Sequence, residues 1–370
     1  MGRSAMNIAV LTSSRADYGI YLPLLKKLKI DAFFKLKIIA FGTHLSESHG
    51  KTINHIQDDG FEVAYRIETL PCADSPAGIS KGIGKTVYAF AEQWGKIKNE
   101  TDLILCLGDR YEMFAAVSAA IPFNIPIAHL HGGETTLGAI DNAFRNSITC
   151  MSKFHFASTQ NHANRVADII GTKNGVYNVG ALSLDNMNDI KILNKQEFKE
   201  KFNIELREPV LITFHPETID YEKNEYLINE LTAALNIPGK QIIITMPNAD
   251  TMGNLIRAKL IDFARNKPDV IIFESLGTQG YFSCMKHCAF VLGNSSSGII
   301  EAASFGKHVI NLGKRQLGRE AGENVINCEI NTKKISETME EVNKFPKPGN
   351  KNNYGDGKTA DKIISILKSI

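Results

Sequence analysis

The chain has 370 residues, 43% of them hydrophobic and 22% charged, with a formal net charge of +2. That length exceeds one ordinary core and suits two domains of about 150 to 200 residues. The near-neutral balance argues against general nucleic-acid binding, which needs a strong basic excess. No apolar run reaches the roughly 18 residues that span a bilayer.

Met1-Gly2-Arg3-Ser4-Ala5 lacks the apolar core and length of a secretion signal. Met6 directly precedes the first strand-like run and reads as a native start, with the first five residues an appended lead. The cysteines (Cys72, Cys106, Cys150, Cys284, Cys288 and Cys328) are scattered, several in apolar stretches. This fits reduced, buried thiols of a cytoplasmic protein better than a disulfide framework. Cys284, His287 and Cys288 lie on a predicted helix with no second ligand pair at zinc-site spacing, so no metal is expected there.

Short apolar runs alternate with helical patterns from end to end. In the first half the predicted strands are 7–11, 35–41, 62–66, 102–107, 126–130 and 154–157, with helices over 18–29, 82–98, 111–121 and 160–170. The continuous apolar run Leu103-Ile104-Leu105-Cys106-Leu107 predicts a strand buried on both faces, hence a parallel sheet. A second series follows over 210–214, 241–245, 270–273, 290–293 and 309–312. The expected fold class is therefore α/β, two doubly wound Rossmann-like domains. The Asn- and Asp-rich stretch 181–195 is the expected hinge. Boundaries fall at 1–181 and 182–354, with a last helix over 358–370.

In open α/β sheets ligands bind beyond the carboxyl ends of the strands, so the polar residues directly after each strand carry the argument. After the first comes Thr12-Ser13-Ser14-Arg15-Ala16-Asp17. Its helix start offers N–H groups to an anion and Arg15 a fixed positive charge, although Ser14 would also serve as a plain cap. Gly108-Asp109-Arg110 places a carboxylate at the sheet rim; a helix cap is the alternative use of Asp109. His131-Gly132-Gly133-Glu134, followed by Asp141 and Arg145, gathers groups that can exchange protons near neutral pH. The paired glycines allow close backbone approach to a ligand.

In the second half His215-Pro216-Glu217 ends one strand. Asn294-Ser295-Ser296-Ser297-Gly298 opens a helix with donors for a diphosphate, with Glu301 placed to accept from ribose hydroxyls. Gly313-Lys314-Arg315-Gln316-Leu317-Gly318-Arg319-Glu320 follows another strand. This half reads as the nucleotide side. Gly82-Ile83-Gly84-Lys85-Thr86 imitates the end of a phosphate-binding loop, but Ile79 stands where its first glycine belongs. No Gly-x-Gly-x-x-Gly follows the first strand, which argues against a nicotinamide cofactor.

The ordered set of motifs, closing with Tyr354-Gly355-Asp356-Gly357-Lys358-Thr359-Ala360, resembles the hydrolysing UDP-N-acetylglucosamine 2-epimerase family of sialic and legionaminic acid biosynthesis. The resemblance spans nearly the whole chain. It implies two Rossmann-like domains facing a cleft, as in GT-B glycosyltransferases, a final helix returning to the first domain, and homodimers or homotetramers. It implies a reaction without metal or cofactor: UDP is eliminated from a UDP-2-acetamido sugar and water adds to the resulting glycal, inverting carbon 2.

Asp109, His131, Glu134 and Asp141 are then the acid/base candidates, Asp109 and Asp141 the firmer pair. His131 stands where some relatives carry glutamate. Arg15, His215, Ser295, Ser296, Glu301 and Arg315 are the expected UDP contacts, with His215 also a candidate to protonate or hold the leaving phosphate. Asn142, Asn146 and Cys150 depart from residues common in relatives. A nonhydrolysing epimerase, a GT-B glycosyltransferase and an inactive sugar-nucleotide sensor are the rival readings. UDP-N-acetylglucosamine and UDP-N,N'-diacetylbacillosamine share the reacting centre and are not separated by sequence.

Overall fold

A computed structural model describes residues 5–69, 73–237, 239–247, 250, 252–342 and 344–370. Cys72 and residues 1–4 lie outside the described residues. The chain divides into two units, one of residues 1–134, 141–189 and 354–370, the other of 135–140 and 190–353.

The first unit carries seven strands: β1 (Met6–Thr12), β2 (Phe34–Phe41), β3 (Val63–Ile67), β4 (Leu103–Leu107), β5 (Ile127–Leu130), β6 (Phe154–Ala157) and β7 (Val176–Asn178). All pairings are parallel, in the order β3-β2-β1-β4-β5-β6-β7. The second unit carries β8 (Val210–Thr213), β9 (Ile242–Thr245), β10 (Val270–Phe273), β11 (Phe290–Gly293), β12 (Val309–Leu312) and β13 (Val325–Cys328). These too are parallel, in the order β10-β9-β8-β11-β12-β13.

The all-apolar β4 shows why these runs become central strands. Leu103, Leu105 and Leu107 face one core, shared with Tyr21, Leu24 and Leu25 of the helix Arg15–Ile30. Ile104 and Cys106 face the other, with Phe90, Trp94 and Met113. Alternate side chains leave a strand on opposite faces, so an unbroken apolar run requires cover on both. Cys106, Cys284, Cys288 and Cys328 are buried free thiols, pushed up from their ordinary pKa by desolvation, and Cys150 is exposed.

In each sheet the strand order reverses once, between β1 and β4 and between β8 and β11. Those two switch points, where neighbouring loops diverge, are where an open α/β sheet leaves room for a ligand.

The expected boundary at 181 lies eight residues ahead of the observed one. Leu182 and Leu184 are buried in the first unit, and Asn186 Nδ2 donates to the Gly19 carbonyl at 2.7 Å, which ties 182–189 to the helix Arg15–Ile30. The final helix, Thr359–Leu367, also belongs to this unit; its Ala360, Ile363 and Leu367 sit in the core beside Leu24 and Leu28. The loop-like Gly82 to Thr86 lies inside the helix Pro76–Ile97, where Thr86 Oγ1 donates to the Gly82 carbonyl.

Candidate active site

The first switch point is built from the ends of β1 and β4. Beyond β1, the carboxylate of Asp17 accepts from the backbone N–H and hydroxyl of both Ser13 and Ser14, at 2.7 to 3.0 Å. The helix start is thus already capped from within. The amides of Ser13 and Ser14 are occupied by Asp17. Arg15 opens the helix directly after this cap.

Beyond β4, the chain turns at Gly108, and His129 on β5 fixes that turn: His129 Nε2 lies 2.8 Å from the Gly108 carbonyl oxygen and Nδ1 3.2 Å from Thr149 Oγ1. A carbonyl only accepts, so Nε2 carries the hydrogen. Burial lowers the His129 pKa from 6.5 to about 3, so the ring stays neutral. Asp109 does not cap the next helix, whose first position outside is Arg110. Its carboxylate instead pairs with the guanidinium of the buried Arg145, whose Nη1 also donates to the Glu134 carbonyl at 2.9 Å. Arg110 turns away to Glu112, 3.0 Å off.

Beyond β5, His131 adopts a left-handed backbone at φ 64° and is 7% exposed. Its Nδ1 lies 2.7 Å from Glu134 Oε1, which also accepts from Ser158 Oγ at 2.7 Å; Ser158 Oγ in turn lies 2.9 Å from His162 Nδ1. The glycines between serve the protein's own packing rather than a ligand. A Cβ on Gly133, whose φ is 78°, would stand 2.2 Å from the His162 carbonyl oxygen. This close seating brings Glu134 onto Ser158. Asp141 begins the helix Asp141–Met151, one turn before Arg145. Cys150 is exposed on that helix, and Asn146 keeps a buried Oδ1 without a hydrogen-bond partner among the described residues.

In the second unit, Asn294 after β11 clamps the end of β8. Its side chain accepts from the His215 N–H at 2.7 Å and donates to the His215 carbonyl at 2.8 Å, while Gln316 Nε2 donates to the Asn294 carbonyl. Ser295 caps the short helix Ser296–Ile300, with Ser297 bonded to Tyr281, and buried Glu301 closes it. Arg315 reaches the Pro216 carbonyl at 3.4 Å and Asp250 at 3.3 Å. Glu217 is occupied structurally, accepting from the Lys314 N–H. The segment Thr135–Ile140 belongs here: the Leu137 N–H donates to the Leu317 carbonyl, and the Ile140 N–H to Thr218.

The structure therefore gathers Asp109, His131, Glu134 and Arg145 on the β4 and β5 ends of one unit, with Asp141 one turn before Arg145 on its helix. It gathers His215, Ser295, Ser296, Glu301 and Arg315 on the β8, β11 and β12 ends of the other. Sequence reasoning passed over His129, Ser158, His162 and Asp250. His129 sits in β5 and Ser158 directly after β6, the same strand-end signal that marks Asp109 and His131. His162 and Asp250 acquire meaning only from their partners. Cys284 and Cys288 are buried, and His287 Nε2 meets the Leu193 carbonyl at 3.0 Å.

The family model described as UDP-N-acetylglucosamine 2-epimerase matches residues 26–368. The chain is 34% identical over 365 residues, 98% of its length and 96% of the other's, to a Legionella pneumophila protein named UDP-N,N'-diacetylbacillosamine 2-epimerase (hydrolyzing). It is 34% identical over 331 residues, 89% of its length and 85% of the other's, to a Campylobacter jejuni protein named GDP/UDP-N,N'-diacetylbacillosamine 2-epimerase (hydrolyzing). A crystal structure of UDP-GlcNAc 2-epimerase from Neisseria meningitidis bound to UDP-GlcNAc matches with a TM-score of 0.83 at 18% identity, covering 99% of this chain and all of that one. At that identity the likeness establishes the fold.

Proposed function

This chain belongs to the UDP-N-acetylglucosamine 2-epimerase family, and from that premise we propose that it is a hydrolysing 2-epimerase of a UDP-2-acetamido sugar. The favoured sugar is UDP-N,N'-diacetylbacillosamine, for which the two relatives at 34% identity are named. A base takes the proton from sugar carbon 2, the electron pair becomes the carbon 1–carbon 2 double bond, and UDP departs anti. Water then adds syn to the 2-acetamidoglycal, giving the free 2-epimer, a building block of legionaminic- or sialic-acid type.

The hydrogen on carbon 2, which bears the acetamido group, is only weakly acidic, so the step needs both a positioned proton acceptor and support for the departing diphosphate. The first need falls to Asp109, His131, Glu134 and Asp141, the second to Arg15, His215, Ser295, Ser296 and Arg315, with Glu301 on the ribose. The observation that carries the reading is the Asp109–Arg145 pair at the β1/β4 switch point. A carboxylate that reaches the strand rim and is held by a buried guanidinium is oriented for work rather than spent on a cap. No metal or redox cofactor enters the scheme. We take the enzyme to be a cytoplasmic homodimer or homotetramer, which light scattering of the purified protein tests.

Proton NMR in D2O, with each UDP-sugar offered separately, tests the reaction. Free 2-epimer deuterated at carbon 2 plus UDP is expected. An epimer still bound to UDP would place the chain in the nonhydrolysing branch. No exchange at carbon 2 would remove the epimerase reading. Turnover of UDP-N-acetylglucosamine alone would leave the reaction and overturn the choice of sugar.

A further inference from the structure

Of the groups at the β4 and β5 ends, His131 alone has one ring nitrogen fixed by a carboxylate and the other buried with no hydrogen-bond partner among the described residues. The hydrogen positions around it follow by elimination. Glu134 as a carboxylate can only accept, so His131 Nδ1 carries the hydrogen of their 2.7 Å contact. Ser158 donates its one hydrogen to the same Oε1, so it must accept from His162, whose Nδ1 therefore also carries hydrogen. The hydrogen bonds from His162 through Ser158 and from His131 converge on Glu134, and on a neutral ring they leave the lone pair on His131 Nε2.

We propose that Ser158 and His162 are positioning residues that act through Glu134 to hold His131 in this tautomer, so that His131 Nε2 receives the proton from sugar carbon 2. The proposal deepens the epimerase reading and rests on it. In the step, the carbon 2–hydrogen bond breaks and an Nε2–H bond forms. The freed electron pair becomes the carbon 1–carbon 2 double bond, and the carbon 1–oxygen bond breaks with both electrons leaving on UDP. His131 becomes an imidazolium opposite the Glu134 carboxylate, an arrangement that stabilises the charge it has just gained. Glu134, with Oε1 shared by His131 and Ser158, is on this assignment a positioning residue rather than the proton acceptor.

The other charged and titratable groups near this pair are accounted for. His129 is held neutral by burial, and His155 is lowered to about 4 by the same cause. The neighbouring cation, Arg145, is paired with Asp109 and lies on the backbone carbonyl of Glu134. Asp141 starts the same helix. A left-handed backbone at a non-glycine residue is uncommon and concentrates at functional positions.

Two variants move the proton balance in opposite directions, which a purely structural role would not do. Glu134→Gln removes the carboxylate that stabilises the imidazolium, so the acidic limb of kcat/KM moves down by about one pH unit, and kcat falls about 100-fold or more. Ser158→Ala removes a donor from Glu134 and leaves the carboxylate more basic, so the limb moves up by roughly half a unit. Ser158→Thr, which keeps the hydroxyl, restores the wild-type limb.

Histidine-selective 15N NMR of the full-length protein, with His131 assigned by the His131→Gln spectrum, reads the tautomer without any substrate. Hydrogen on Nδ1 is expected. Hydrogen on Nε2, limb shifts of the same sign in the two variants, or carbon 2 exchange at the wild-type rate in His131→Gln would each overturn the proposal. If the wild type exchanges carbon 2 of neither sugar, the epimerase reading fails and takes the proton step with it, while the NMR result still decides the tautomer relay.

Discussion

Asp109 and Arg145 are informative as a pair because each is committed differently. Arg145 is buried, and its guanidinium holds both the Asp109 carboxylate and the Glu134 carbonyl. The side chain of Asp109 is 22% exposed, so its carboxylate stays accessible at the rim. Asp109→Asn keeps the shape and removes the charge. UDP binding by calorimetry is expected within about twofold of wild type while turnover falls about 100-fold or more, the scale of losing a positioned acid or base. Wild-type-like rates in that variant would take Asp109 out of the chemistry.

His129 makes a prediction of another kind. Its pKa falls from 6.5 unfolded to about 3 folded because burial penalises the charged ring. Between those values the unfolded chain binds a proton that the folded chain refuses. Stability is therefore intact above about 6.5 and is lost as pH falls below it, by up to about 1.4 kcal/mol per unit for this one residue. His155, lowered to about 4, adds in the same direction. Melting temperature followed from about pH 8 to pH 4.5 should hold level and then drop, and His129→Gln should make the drop shallower. A flat profile would mean that protons reach His129 without unfolding.

At the scale of elements, the strands with continuous apolar runs and the large helices were legible because burial on two faces leaves an unmistakable pattern. Other elements, β7, β13 and the helix Asp141–Met151 among them, were not. β7 and β13 are short edge strands whose side chains are mostly half-buried or exposed, so they offer no clean period. The helix Asp141–Met151 carries polar residues through most of its length, so in sequence its candidate site residues mask the helix. The site showed the same division. Residues that follow strands directly were found, since strand ends are where ligands bind. The relay through Ser158 and His162 depends on β6 lying beside β5, a pairing that sequence order does not state.

The final helix is the element whose contribution is easiest to isolate. Asp185 accepts from the backbone N–H groups of Thr359 and Ala360 at 2.9 and 2.6 Å, capping it from another segment. Desolvation raises the Asp185 pKa, and those two hydrogen bonds work against the rise. Ile363 and Leu367 are fully buried. Leu367→Ala should cost about 2 to 4 kcal/mol, the range for truncating a core leucine. Asp185→Ala should cost about 1 kcal/mol or more through the lost cap. Chemical denaturation of both variants checks the order; a larger loss in Asp185→Ala would show that the cap, rather than the apolar face, seats the helix.

At the scale of the whole molecule, neither unit is a contiguous stretch of chain. The first takes back residues 354–370 after the second has been completed, and the second borrows 135–140 from the middle of the first. A fragment ending at Asp189 would leave the places of Ile363 and Leu367 empty beside Leu24 and Leu28, and Asp185 without the amides it caps. Buried apolar faces exposed in this way destabilise by the lost transfer free energy and by the cavity left behind. Residues 1–189 alone should therefore melt well below the same residues joined through a flexible linker to 354–370, a comparison that far-ultraviolet circular dichroism can make directly. The joined form, with its helix restored, is expected to unfold cooperatively, and a synthetic 354–370 peptide added in excess should raise the melting temperature of the shorter fragment by mass action. Equal melting of the two fragments would mean that the sheet and its other helices suffice, and that the returning segment decorates a core already complete without it.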